Sequence, residues 1–240
     1  MRLRDKVAVI TGGGRGIGRA LALGFARQGA AVAVAARTRV EIEHVAAAIA
    51  ADGGQALAVA CDVTDEEAAR NLITSALERF GRIDVLVNNA GVGNLRPVWG
   101  TPRSAFERTL AVNLIGTFLT TKHAWRPMRA AGGGSIVNIA SLGGLRGYPL
   151  LAAYCASKWG QIGFTMACAE EGKADAIRAN VVAPGKADTA FRAQIEEDKH
   201  RMLKAQDALG ACLFLASDES RYVTGQVIAI DWFGPEPGGR

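Results

Sequence analysis

Short, largely apolar runs alternate along this chain with stretches whose apolar residues recur at helical spacing, and that alternation restricts the fold more than any other feature. The runs fall at 7–10, 31–36, 56–61, 85–87, 136–139, 179–183 and 227–230. Each has the length of a strand, and none shows the polar alternation of a half-exposed one, so each is expected to be buried on both faces. Between them, 17–28 has helical character, and Ile42, Val45, Ala46 and Ile49 fall at i, i+3, i+4 and i+7. Ala69, Leu72, Ile73, Ala76 and Phe80 likewise share one helical face. Strands buried on both faces and separated by amphipathic helices predict a doubly wound α/β fold, a seven-stranded parallel sheet with helices on both sides. Boundary signals agree with it. Thr64 and Glu67 have capping-box spacing. Thr101-Pro102 reads as a cap followed by proline in the first helical position, opening a long helix. Gly53-Gly54 and Gly81 are stops. No segment of the 240 residues reads as a linker or a repeat. A single domain over 1–240 is therefore expected, with an extended tail over 232–240.

Composition removes several classes. A 49% hydrophobic content excludes a disordered chain. No apolar run approaches the roughly 18–20 residues of a membrane-spanning helix, and none behind Met1–Lys6 has signal-peptide length, so a cytoplasmic protein is expected. The 28 basic and 23 acidic residues leave a net charge of +5. The basic residues are scattered singly, which argues for a solvated surface and against nucleic-acid binding. Cys61, Cys155, Cys168 and Cys212 form no C-x-x-C pair, and the three histidines lie apart from them. Packed free thiols and no metal site follow.

Residues 11–18, Thr11-Gly12-Gly13-Gly14-Arg15-Gly16-Ile17-Gly18, join the first strand to the first helix. Glycines there let the backbone approach a pyrophosphate held at the helix N-terminus. The spacing is G-x-x-x-G-x-G through Gly12, Gly16 and Gly18, and G-x-G-x-x-G fits in no register. A carboxylate at the tip of the second strand would select a ribose 2′-hydroxyl, whereas arginine favours a 2′-phosphate. Here the strand ends Ala35-Ala36-Arg37, with Arg15 able to reach the same region. NADP(H) is therefore expected over NAD(H), although Glu41 and Glu43 stand nearby.

With these residues in view the chain resembles the short-chain dehydrogenase/reductase family, in its single-domain, Rossmann-like form, over nearly its whole length. Thr11-Gly12-x-x-x-Gly16-x-Gly18 resembles the family's glycine motif, and Asp62-Val63 its adenine-contacting pair. Asn88-Asn89-Ala90-Gly91 resembles the motif that stabilises the central sheet beside the cofactor. Tyr154-x-x-x-Lys158 with Ser141 thirteen residues earlier resembles its catalytic segment (141–158). Asn113 falls where the family has a helix asparagine. Pro184-Gly185 and Thr189 resemble its nicotinamide-side loop. The resemblance implies hydride transfer at the pro-S face of the nicotinamide to or from a carbonyl or carbinol carbon. It implies that Lys158 holds the nicotinamide ribose, that Asn113 supports a water relay, and that the protein is a tetramer or dimer pairing through helices near Asn113 and Tyr154.

The chemistry also follows from the residues. Tyr154 and Lys158, one helical turn apart, share a face. An ammonium about 4 Å from the phenol, at an effective dielectric near ~20, favours phenolate by roughly 4 kcal/mol before desolvation. That is up to about 3 pKa units, enough to bring a phenol into range as a general acid and base. Ser141 ends a strand, where open α/β sheets place ligands, and can orient the substrate oxygen. The substrate is expected to be a ketone or secondary alcohol of modest size. Loops at 92–100 and 142–151 would select it, with Leu95, Val98, Trp99, Leu145, Tyr148 and Leu150 as apolar contacts and Arg96 and Arg146 as anion contacts. A short lid over about 186–206 completes the mouth. Asp231-Trp232-Phe233 departs from the family's usual Asp-Gly-Gly. Two other readings stay open: an NAD-dependent alcohol or sugar dehydrogenase, and a non-catalytic dinucleotide-binding scaffold.

Overall fold

Each of the apolar runs is a strand in the computed structural model, which describes residues 1–186 and 202–232. These are β1 (Val7–Thr11), β2 (Ala31–Ala36), β3 (Ala56–Ala60), β4 (Val85–Asn88), β5 (Gly134–Ile139), β6 (Ile177–Pro184) and β7 (Val227–Ile230). Among the described residues they form one sheet in the order β3-β2-β1-β4-β5-β6-β7, with every neighbouring pair parallel. The doubly wound seven-stranded sheet read from the sequence is the observed one.

Alternate residues of each strand serve opposite faces. Ala8, Ile10, Val32 and Val34 point into a core covered by α1 (Gly16–Arg27), α2 (Arg39–Ala51) and α7 (Leu209–Ala216). Val9, Ala33, Ala35 and Leu86 point into the other, covered by α3 (Glu66–Phe80), α5 (Gly116–Ala130) and α6 (Ala152–Gly172). The helical faces expected in the second and third helices are the buried ones, through Ile42, Val45 and Ile49 in α2 and Ala69, Leu72, Ile73 and Ala76 in α3.

Two boundary expectations are corrected. The cap of α3 is Asp65, whose carboxylate accepts from the backbone N–H groups of Glu67 and Ala68. The Thr64 hydroxyl is already engaged, donating to Asp62 Oδ1 at 2.8 Å, and the charged acceptor one residue later takes the free N–H groups. Pro102 occupies the cap position itself, so α4 begins at Arg103 and runs to Leu110. Thr101 donates its hydroxyl to the Pro97 carbonyl instead of capping the helix. The long helix expected there is interrupted by a π-turn over Ala111–Ile115 before α5 continues. At the junction Gly116 passes so close to Val63 that a β-carbon would lie 2.6 Å from its Cγ2.

Candidate active site

The strand order reverses between β1 and β4: the chain winds outward one way through β2 and β3 and the other way through β5 to β7. The helices following β1 and β4 therefore diverge and leave a crevice at the carboxyl edge. A cavity of about 510 Å³ occupies it, lined from Gly12–Ile17 through Asp62, Val63 and Asn89–Gly91 to Ser141, Tyr154, Lys158, Pro184, Gly185 and Lys186.

The glycine turn is shaped by its φ angles and its packing. Gly12 (φ +63°) and Gly16 (φ +53°) are left-handed. A β-carbon on Gly18 would lie 2.2 Å from the Gly12 carbonyl oxygen, so only glycine lets α1 start this close to the turn. Asn89 clamps the turn from β4, its Nδ2 donating to the carbonyls of Thr11 and Gly12. Thr11 Oγ1 in return accepts from the N–H groups of Asn89 and Ala90. No side chain caps α1 and no acidic residue stands in its first turn, so its N-terminal N–H groups face the cavity ready for an anion. This cradle fits the pyrophosphate of a dinucleotide.

At the far end of the crevice, Arg15 and Arg37 are exposed and line the cavity with Thr38 and Glu41. Glu41 stands over Gly14, its Oε2 2.9 Å from where a β-carbon would be. Glu43 pairs instead with Arg39 at 2.7 Å. Partial burial pushes the Asp62 carboxyl up, but hydrogen bonds from the Thr64 N–H and hydroxyl, with Arg108 and Arg37 nearby, hold it below the usual carboxylate range.

At the other end, Ser141 follows β5, and its Oγ accepts from Gly143 N at 3.1 Å. The Tyr154 ring lies against Gly143, 3.2 Å from where a β-carbon would sit. Lys158 is 3% exposed, and burial pushes its ammonium down to about 7. Its Nζ donates to the Ile139 carbonyl at 2.7 Å and to Gln161 Oε1 at 3.0 Å, and lies 5.8 Å from the Tyr154 ring centroid. The hydrogen bonds recorded for this ammonium thus run to the β5 tip and along its own helix, because a buried ammonium needs acceptors on more than one side.

Asn113 is fully buried in the π-turn. Its Oδ1 accepts from Val92 N, and its Nδ2 donates to Val92 O and Ser157 Oγ. The side chain therefore ties the loop after β4 to α6. The main-chain carbonyl of Asn113 accepts from the Thr117 hydroxyl, which accepts from Gln161, the partner of Lys158. Gln161 and Ser157 were not singled out in the sequence, although both fall on the helical face of Tyr154 and Lys158. Thr189 and most of the 186–206 segment lie outside the described residues. At its ends, Leu203 N donates to the Lys186 carbonyl at 2.8 Å.

All four cysteines are free and buried. Burial pushes the Cys61 thiol up to about 11 and those of Cys168 and Cys212 to about 12, so these three are packing groups.

Comparison with known proteins matches residues 6–200 to the short chain dehydrogenase family. The chain is 37% identical to a sorbitol dehydrogenase of Cereibacter sphaeroides, over 96% of this chain and 98% of that one. It is 38% identical to a cis-4-hydroxycyclohexanecarboxylate dehydrogenase of Sinomonas cyclohexanicum, over 95% of each. Among solved structures, a short-chain type dehydrogenase/reductase from Mycobacterium marinum superposes with a TM-score of 0.91 at 37% identity, covering 95% of both chains.

Proposed function

The chain belongs to the short-chain dehydrogenase/reductase family, and on that premise we propose how its own residues carry out the reaction. As a family member it is an NAD(P)(H)-dependent oxidoreductase acting on CH–OH and C=O groups. The nicotinamide, when bound, supplies or accepts the hydride.

In our reading Tyr154 gives or takes the proton on the substrate oxygen. Ser141 orients that oxygen: its Oγ already accepts from Gly143 N, which leaves the hydroxyl proton for the substrate. Lys158 places a positive charge beside the phenol and holds the nicotinamide ribose. Asn113 secures the Val92 loop against α6 and so keeps Gly91 and Lys158 in register. Gly12, Arg15, Gly16, Ile17 and Gly18 hold the pyrophosphate, Asp62 and Val63 the adenine, Asn89, Ala90 and Gly91 the middle of the cofactor, and Pro184 and Gly185 the nicotinamide side. The observation that carries this reading is the convergence of Ser141, Tyr154 and Lys158 on one cavity that also contains the uncapped start of α1. Tyr154→Phe tests it. A loss of about 10²–10⁴-fold in kcat is expected, the range for a general acid and base, with cofactor Kd unchanged; a fully active variant overturns the assignment.

For the cofactor we favour NADP(H), supported by Arg15 and Arg37 at the adenosine end and by the absence of a carboxylate at the tip of β2. Glu41, over Gly14, favours the second reading, an NAD-linked alcohol or sugar dehydrogenase. Titration of both cofactors against Arg37→Asp separates them: NADP(H) loses affinity and NAD(H) does not, if the arginine reads a 2′-phosphate.

The substrate is a secondary alcohol or ketone, and the relatives named above act on a polyol and an alicyclic hydroxy acid. We further infer a homo-oligomer. Ile115, Phe118, Trp159 and Met166, between 43% and 54% exposed, form an apolar surface on adjoining helices, and a second copy of the same face would cover it. No described helix is long and apolar enough to cross a membrane. Four free thiols support a reducing, cytoplasmic setting.

A further inference from the structure

We propose that Tyr148 recognises the substrate of this site by donating its phenolic hydrogen bond to an acceptor oxygen borne away from the reacting carbon. Arg146 and Asp231 are the positioning residues that hold it there. The inference rests on the oxidoreductase reading and extends it to a substrate class: ketones and secondary alcohols carrying a second carbonyl or a carboxylate.

Tyr148 lines the same cavity as Ser141 and Tyr154. Its hydroxyl accepts from Arg146 Nε at 2.8 Å. A phenol has one proton to donate, and among the described residues nothing accepts this one. The exposed guanidinium has the Tyr148 ring and the Asp231 carboxylate as neighbours. It lies 5.2 Å from the Tyr148 ring centroid, and its Nη2 is 4.0 Å from the Asp231 carboxylate. Asp231 is itself fixed by the Trp232 N–H at 2.9 Å. It occupies the space that Gly185 leaves open, where a β-carbon would lie 2.0 Å from Oδ1. A strut of Gly185, Asp231, Arg146 and Tyr148 thus joins the tip of β6 to the loop after Ser141.

That loop is pinned elsewhere too. Arg146 N donates to Leu142 O at 3.0 Å, and Leu150 O accepts from Arg96 N at 2.8 Å across the mouth. Leu150 holds a left-handed φ of +64°, a conformation that persists for a leucine only where its surroundings impose it. The phenol is therefore presented by a fixed loop, with a cation behind its oxygen that strengthens it as a donor. Ser141 and Tyr154 both address the reacting oxygen, so a simple ketone would leave Tyr148 with only water. An acceptor further along the substrate would engage it.

The test measures binding of cyclohexanone, para-cyclohexanedione and para-oxocyclohexanecarboxylate by calorimetry. The enzyme is loaded with oxidised cofactor, so that no ketone is turned over. The unmodified protein is expected to bind at least one bifunctional ketone more tightly than cyclohexanone. Tyr148→Phe is expected to weaken that binding about fivefold, the size of one neutral hydrogen bond, leaving cyclohexanone unchanged. Arg146→Met reproduces the selective loss and adds nothing further in the double variant, because both act through one contact. A loss confined to the carboxylate identifies an anionic acceptor, and one confined to the dione a neutral one. Equal weakening of all three ketones, or no preference for a bifunctional ketone in the unmodified protein, overturns the inference. Binding is read without turnover, so a fully active Tyr154→Phe would sink the proton-transfer assignment and leave this one standing.

Discussion

Lys158 is a buried cation at this site, 3% exposed. Its pKa falls from 10.5 to about 7 because the ammonium is buried. The unfolded chain therefore binds this proton more tightly than the folded one, and the stability contributed by this group rises as pH climbs from about 7 toward 10.5. Lys158→Met removes that dependence. The difference in Tm between the variant and the parent should change steadily across that interval, whatever constant offset comes from the abandoned Ile139 and Gln161 acceptors. Parallel Tm–pH curves would contradict the assignment. The pH profile of kcat/KM should show a limb belonging to the coupled Tyr154–Lys158 pair, below the ordinary phenol value of about 10. A profile flat from mildly acid to strongly alkaline would rule it out where chemistry limits the rate. At the adenosine end, Glu41→Gln removes a carboxylate from the part of the cavity that Arg15 and Arg37 also line. NADP(H) should bind more tightly relative to NAD(H), by about 3- to 10-fold for one screened charge, as read by fluorescence titration.

Among the elements, the centre of the sheet depends on polar groups that the apolar pattern of its strands does not advertise. Asn88 of β4 and Asn138 of β5 are register partners, joined by a hydrogen bond of 2.8 Å. Asn88 also accepts from Thr120 and donates to Thr121 in α5, while Asn138 donates to Thr165 in α6. Both asparagines are buried, so the network clamps two helices to the strands whose tips carry Asn89 and Ser141. Asn138→Leu removes one acceptor from the Asn88 amide, which keeps Thr120 and Thr121, and takes away the donor to the buried Thr165 hydroxyl. A loss of about 2–4 kcal/mol is expected from the unpaired groups, measurable by urea unfolding. The π-turn works similarly. It lies where Gly116 passes close to Val63 and where Asn113 reaches both Val92 and Ser157.

For the molecule as a whole, the carboxyl edge of the sheet is taken up by the cavity, and apolar surface remains on the flank of α5 and α6. If that flank pairs with a second copy, Trp159→Glu should shift sedimentation toward the monomer at micromolar concentration while leaving the far-UV circular dichroism intact. An unchanged sedimentation coefficient would place the contact elsewhere.

Local pattern was enough for the sheet, its covering helices and the position of the glycine turn, because strand and helix periods are set by neighbours within a few residues. It was also enough to put Tyr154 and Lys158 on one face. It was misleading at Thr64 and Thr101: the helices start one residue later, with Asp65 and Pro102 in the cap positions, and the two hydroxyls donate to Asp62 and the Pro97 carbonyl. What only the tertiary structure decided is which groups answer the buried polar atoms. Lys158 finds Ile139 nineteen residues back, Asn113 finds Ser157 forty-four residues on, and Asn88 finds Asn138 fifty residues on. Hydrogen-bond partners at such separations leave no periodic trace in the chain, since only folding brings them within about 3 Å of each other.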